Sequence, residues 1–329
     1  MKKVQVGLLI GSAAVLAVMG LACVAAFCRA CPWNASMYGS GSHGLFTRMA
    51  LWNGVGLVLG YGAYRLGWRR WLLAAPFIMV GWIGLMAYAA TQPLINGRWG
   101  WVSLGCISVN VFDLLPFVLA LVGAWVARKM RLSAMAATLM VGFVVLYAPC
   151  VNILTNPNRL AYVKAALTQE TVPDDPHALA YFYLQNQYFY LQNQSVGAVK
   201  ASKWFGRAEI NLRDIPEGPT TTMPAVASAL FGKWYLAVLG LVLGAMAAGF
   251  ALTGAMQKDE SLKAFTVIFG LGTVGCAVMS CLGVLGIVPI LHLCVPLASF
   301  GGFTALLVWV GLGILFSQPG ETTAETSQP

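Results

Sequence analysis

Apolar runs of about 20 residues alternate with short polar hinges along almost the whole chain, at about 45 to 66, 71 to 91, 110 to 128, 133 to 153, 229 to 254, 263 to 285 and 296 to 317, after a first run within residues 1 to 30. At 1.5 Å per residue each run spans the roughly 30 Å hydrocarbon core of a bilayer. Eight membrane spans follow. One long polar segment, 155 to 228, interrupts the pattern. The expected architecture is an all-α polytopic helix bundle: spans 1–5 within 1–154, a loop over 155–228 with short interfacial helices, spans 6–8 within 229–317, and a disordered polar tail over 318–329. Pro76, Pro116 and Pro149 fall within or at the ends of spans, where neighbouring helices satisfy freed carbonyls.

Composition agrees with a membrane protein: 59% of residues are hydrophobic, 9% are charged, and the mean hydropathy is +0.74. The net charge of +9 is no sign of nucleic-acid binding, because the cations sit in hinges. Lys2, Lys3, Arg65, Arg69, Arg70, Arg128, Lys129, Arg131, Lys258 and Lys263 fall on one side of an eight-span bundle, against Arg29, Arg48 and Arg98 in the short loops opposite. That bias places both termini in the cytoplasm and the long loop outside, in a multi-pass membrane protein. The first run is too long for a signal-peptide core and lacks a small-x-small cleavage site, so it is expected as an uncleaved span.

The long loop holds six of the eleven acidic residues, Glu170, Asp174, Asp175, Glu209, Asp214 and Glu217, and six cations. Within it Tyr181 to Gln187 is repeated residue for residue as Tyr188 to Gln194, a heptad duplication that presents one helical face twice. From Val196 to Arg207 the cations Lys200, Lys203 and Arg207 recur at spacings of three and four among Val199, Trp204 and Phe205, the pattern of a short interfacial helix with a basic face. Two readings of that face stand: contact with membrane-lipid headgroups, or a grip on the diphosphate of a lipid-linked substrate.

Of the eight cysteines, Cys23, Cys150, Cys276 and Cys281 lie inside apolar runs and behave as small hydrophobes. Cys28 and Cys31 form a C-x-x-C, readable as ordinary thiols, a local disulfide or a redox pair. No second pair completes a metal set, so no metal or other cofactor is expected, and nothing in the sequence supports a divalent cation. His43 and His177 are expected to be structural, and His292 is either a buried, hydrogen-bonded side chain or a group that relays protons or contacts a headgroup.

Three separated segments share one resemblance. In residues 286 to 304, Pro289, Pro296, Ser299, Gly301 and Gly302 keep the register of a signature in which Phe300 replaces a tyrosine and His292 a glycine. Asn96 to Gly105, with Arg98 and Ser108, and the hinge Trp68 to Trp71 match two further motifs. In the long loop Asn158 to Leu160, Asp175 with Pro176, Gln194 with Ser195, and Pro216 with Glu217 follow the same order of landmarks. The sequence resembles the SEDS family (shape, elongation, division and sporulation; FtsW and RodA).

That resemblance implies a peptidoglycan glycosyltransferase polymerising lipid II outside the membrane, with a class B penicillin-binding protein as partner. It also implies substrate contacts at Lys200, Lys203, Arg207, Gln194, Ser195, Arg98, Pro296, Ser299, Gly301 and Gly302. The chain departs from the family in having eight spans rather than ten. It departs again four residues after Glu217, where Thr221 occupies the place of the family's catalytic aspartate; a threonine hydroxyl is no general base near neutral pH. Glu217 or Asp214 could take that role, or be surface charges. Two other functions stay open: an inactive SEDS-like regulator or scaffold, and a transporter of polyprenyl-diphosphate lipids, against which stands the near absence of ionisable groups in the spans.

Overall fold

The computed structural model describes residues 2–31, 44–92, 100–104, 107–139, 187–215, 217–290 and 293–317. Its elements are α1 (Lys2–Ala30), α2 (Gly44–Leu66), α3 (Trp68–Ala90), strands β1 (Trp101–Leu104) and β2 (Ile107–Asn110), α4 (Leu115–Lys129), α5 (Gln187–Ala201), a 3₁₀ turn (Leu212–Asp214), α6 (Met223–Phe231), α7 (Trp234–Met256), α8 (Glu260–Val284) and α9 (Gly302–Phe316). Residues 134–139 are also helical. Among the described residues four helices can cross a membrane by length and composition, within Val4–Ala30, Trp68–Ala90, Trp234–Met256 and Glu260–Val284. The chain is a helical, multi-pass membrane protein.

Several boundaries differ from the apolar pattern. The expected span at 229 to 254 is broken at Gly232 and Lys233, so that α6 ends at Phe231 and α7 begins at Trp234. The expected span at 296 to 317 is helical only from Gly302. Residues 101 to 110 form a short antiparallel hairpin in the otherwise helical chain, in register Trp101 with Asn110 and Val102 with Val109. Asp113, placed inside a span by the pattern, lies in the turn before α4.

Two compact units make up the chain. The first comprises Met1–Leu51, Met140–Gly249 and Thr273–Gly301. Here α1 packs on α6, which is buried on every side from Met223 to Ala229. Val24 and Cys28 of α1 form a cluster with Leu45 and Met49, against which Leu21 and Phe300 pack. Gly20 lies against the Ala298 backbone, so a Cβ there would collide with it.

The second unit comprises Trp52–Leu139, Phe250–Gly272 and Gly302–Pro329. Its centre is aromatic: Phe269 stacks on Phe265 at 5.5 Å and meets Phe117 and Phe250 edge-on at 6.3 and 5.9 Å. Trp68, fully buried at the start of α3, donates its indole N–H to Ser261 Oγ at 3.3 Å. Lipid tails are as apolar as leucine, so helix association in a bilayer depends on close packing and on polar contacts between helices. Both are present between α2 and α9. Trp309 donates to Asn53 Oδ1 at 3.0 Å, and Gly56 and Gly60 lie against Trp309 while Gly313 abuts the Gly60 carbonyl.

The substitution Gly313→Ala would force a methyl into that carbonyl and should cost about 1–3 kcal/mol, read as a lowered Tm of the purified protein. Gly54→Ala, on the same α2 but facing open space, should be neutral or stabilising by up to about 1 kcal/mol because alanine is the better helix former. Equal effects of the two changes would disprove the close-approach account.

Candidate functional site

The polar residues singled out by sequence gather in the first unit, on α5, the segment after it, the turn before α6 and the loop before α9. Helix α5 buries Leu191, Ser195, Ala198 and Val199, a stripe at helical spacing. The second copy of the duplicated heptad lies within it; the first, apart from Gln187, falls outside the described residues. Ser195 is fully buried, and its hydroxyl donates to the Leu191 carbonyl at 2.8 Å. Gln194 is half-buried one residue earlier. Gln192 Nε2 donates to the Val288 carbonyl at 3.0 Å, which ties α5 to the segment after α8.

The helix ends at Ala201, so the expected continuous helix from Val196 to Arg207 does not form. Hydrogen bonds to the break between α6 and α7 extract the chain from the helical path. Gly206 N–H donates to the Phe231 carbonyl at 3.0 Å and Ala208 N–H to the Ala229 carbonyl at 2.8 Å, satisfying two of the carbonyls that the last turn of α6 leaves open. In return Lys233 and Trp234 N–H donate to the Lys203 and Trp204 carbonyls at 2.9 and 3.3 Å, capping the start of α7. Residues 203–208 thus form a strap across the break. Gly232 permits it: its φ is 106°, and a Cβ there would strike the Trp204 carbonyl.

The strap sorts the cations into two groups. Lys200 and Lys203 are exposed, and Lys233 reaches the same place, its Nζ donating to the Lys200 carbonyl at 3.4 Å. Lys203 pairs with Glu209 at 3.0 Å between exposed side chains, and this hydrogen bond holds the Glu209 carboxyl below the usual range. Arg207 and Arg213 instead approach the C-terminal end of α1. There burial pushes the Cys31 thiol up, while the positive charges of Arg213 and Arg207 oppose the rise. Arg29 lies in the last turn of α1, where a helix end carries partial negative charge. Cys28 and Cys31 are both buried free thiols.

The carboxylates are placed differently. Asp214 is exposed in the 3₁₀ turn and accepts from Asn211 Nδ2 at 3.2 Å. Glu217 is half-buried in a left-handed conformation, φ 54°, that a residue with a Cβ seldom adopts. Its carbonyl accepts from Thr220 N–H at 2.9 Å and from Thr220 Oγ1 at 3.0 Å, closing a tight turn. Gly218 packs that turn against Val226 and Phe27. Thr221 is only 4% exposed, and its carbonyl accepts from Ser280 Oγ of α8 at 3.3 Å.

The loop before α9 meets this turn directly, through Phe300 N–H donating to the Pro219 carbonyl at 2.7 Å. Within the loop the buried Ser299 accepts from Val295 N–H at 3.0 Å and its own N–H donates to the Val295 carbonyl at 2.8 Å. Pro296 and Leu297 are buried, Leu297 with φ 68°, and Gly301 is half-buried. In the second unit Gly302 begins α9 with its Cα against the Trp52 indole. Arg98, His292 and Pro216 lie outside the described residues, as do residues 155–186 of the long loop. Sequence reasoning missed Lys233, submerged in an expected span, although a Gly-Lys-Trp triplet is a fair sign of a span beginning at an interface.

These features define a class: a multi-pass helical membrane protein whose irregular polar segments are held by one another beside the ends of its spans. No family model matches the chain. Over 155 residues it is 28% identical to the probable peptidoglycan glycosyltransferase FtsW of Aromatoleum aromaticum, a match covering 43% of this chain and 38% of that protein. The chain therefore matches well under half the length of that relative. Its fold is that of RodA from Thermus thermophilus, with a TM-score of 0.60 at 18% identity over 95% of each chain. A chain of a peptidoglycan synthase complex that coordinates polymerization and crosslinking gives a TM-score of 0.60 at 19% identity, over 94% of this chain and 96% of that one. The chain thus shares the fold of RodA and, over part of its length, sequence similarity with FtsW.

Ser299→Ala should leave the buried Val295 N–H without its acceptor and cost about 1–3 kcal/mol of stability, measurable by thermal unfolding. A wild-type Tm in that variant would show that the side chain does not hold the loop.

Proposed function

We propose that the protein acts in peptidoglycan assembly in the bacterial cytoplasmic membrane, with both termini in the cytoplasm, by glycosyl transfer from lipid II. The observation that carries this reading is the hydrogen bond from Phe300 to Pro219, which joins the turn bearing Glu217 to the loop bearing the family signature. In the reaction an acceptor sugar hydroxyl attacks the anomeric carbon, the bond from that carbon to the lipid diphosphate breaks, and the hydroxyl proton passes to a base. Thr221 is buried and has no carboxylate to offer, so Glu217 is assigned as the base. Asp214, exposed and bound by Asn211, is the weaker choice.

The diphosphate is assigned to Arg207 with Arg213 and Arg29, whose guanidinium groups suit bidentate phosphate contacts. Pro296, Ser299 and Gly301 shape the adjoining loop. A class B penicillin-binding protein is the partner this reading carries over from SEDS proteins. A second reading, a regulator that binds lipid II without polymerising it, is favoured by the burial of Thr221 where the family places an aspartate.

Purified protein, alone and with a class B penicillin-binding protein, should convert labelled lipid II into glycan. Glu217→Gln should slow it by about 10²–10⁴-fold, the range for loss of a general base, with lipid II binding retained. Asp214→Asn should stay within about threefold of wild type. A wild-type rate in the Glu217 variant removes the base assignment. Binding with no polymer under either condition selects the regulator; translocation without polymer selects a transporter.

A further inference from the structure

Among the described residues of its unit, the strap carries the two most exposed aromatic side chains. Trp204 is 66% exposed and Phe205 75%, although the Trp204 carbonyl and the Gly206 N–H on either side of Phe205 are both hydrogen-bonded. Their position is determined by hydrogen bonds to a membrane span. The Lys203 and Trp204 carbonyls cap the first N–H groups of α7, a helix long and apolar enough to cross a bilayer. Trp204 and Phe205 therefore sit level with the end of that span, where hydrocarbon gives way to headgroups. Trp234 shares the level, its indole N–H donating to the Phe231 carbonyl at 2.7 Å.

Three lysines lie beside the strap, joined to one another by hydrogen bonds: Lys200, Lys203 and Lys233. Glu209 offsets one of them. Large aromatic side chains exposed at an interface, rimmed by flexible cations, complement a surface that is apolar below and anionic above. We infer that Trp204 and Phe205 form a wedge inserted into the leaflet at which α7 begins, and that Lys200, Lys203 and Lys233 bind the phosphates of anionic glycerophospholipids around it. The wedge fastens the strap, and Arg207 at its far end, to the bilayer surface. This assignment is independent of glycosyl transfer, and its test contains no lipid-linked sugar.

The test uses the full chain reconstituted in vesicles of phosphatidylcholine with or without phosphatidylglycerol. A photoreactive benzoylphenylalanine replacing Phe205 should give lipid adducts about fivefold more often than the same group replacing the exposed Glu209. Phosphatidylglycerol should raise the wild-type Tm by about 3–5 °C, and Lys200→Gln/Lys203→Gln/Lys233→Gln should abolish that increment while folding in phosphatidylcholine alone. Adducts from position 205 to polypeptide, or no adducts, would overturn the wedge in favour of a protein partner or open solvent. An increment that survives in the triple variant would overturn the lysine assignment.

Discussion

Backbone groups left open where a helix breaks must be answered from elsewhere in the protein wherever packing or hydrocarbon keeps water away. The break between α6 and α7 meets that constraint with residues 203–208: carbonyls left open at the end of α6 receive the N–H groups of Gly206 and Ala208, and the N–H groups that open α7 receive the carbonyls of Lys203 and Trp204. The polar segment after α5 is held by this exchange. The exchange sets where α5 must stop and turns the cations of one sequence run into two groups with different surroundings.

The same constraint operates where the turn after Glu217 meets the loop before α9. Both depart from regular conformations, with positive φ at Glu217 and Leu297, and they share the bond between Phe300 and Pro219. One hydrogen bond adds only about 0.5–1.5 kcal/mol, but leaving either group buried and unpaired would cost more. Each loop therefore holds the other in a shape that neither sequence would adopt alone. The hydroxyls of Ser299, Ser280 and Ser195 act in the same way, turned inward to backbone carbonyls or N–H groups.

The second unit depends on packing instead. Glycines at 56, 60, 311 and 313 let helices approach until side chains meet backbone, and Phe269 lies in the space that Gly311 leaves. Among lipid tails, where apolar burial between helices gains little, such contact area supplies the attraction. Asn53, polar and buried within α2, is tolerated because Trp309 answers it.

Apolar length and charge made much of this legible in the chain of letters: the helical class, α1 and α3, the bulk of α7 and α8, and the isolated polar loop, because bilayer thickness imposes a run length that few other structures share. The ordered landmarks from Trp68 to Gly302 likewise pointed to proteins whose fold, and in part whose sequence, this chain resembles. Only the folded molecule decided that α5 ends at Ala201, that Lys233 joins Lys200 and Lys203, that Thr221 is buried, and that Pro219 meets Phe300. Those outcomes rest on hydrogen bonds between residues about 30 and 80 positions apart, which leave no local period in the sequence and exist only once the helices have brought their ends together.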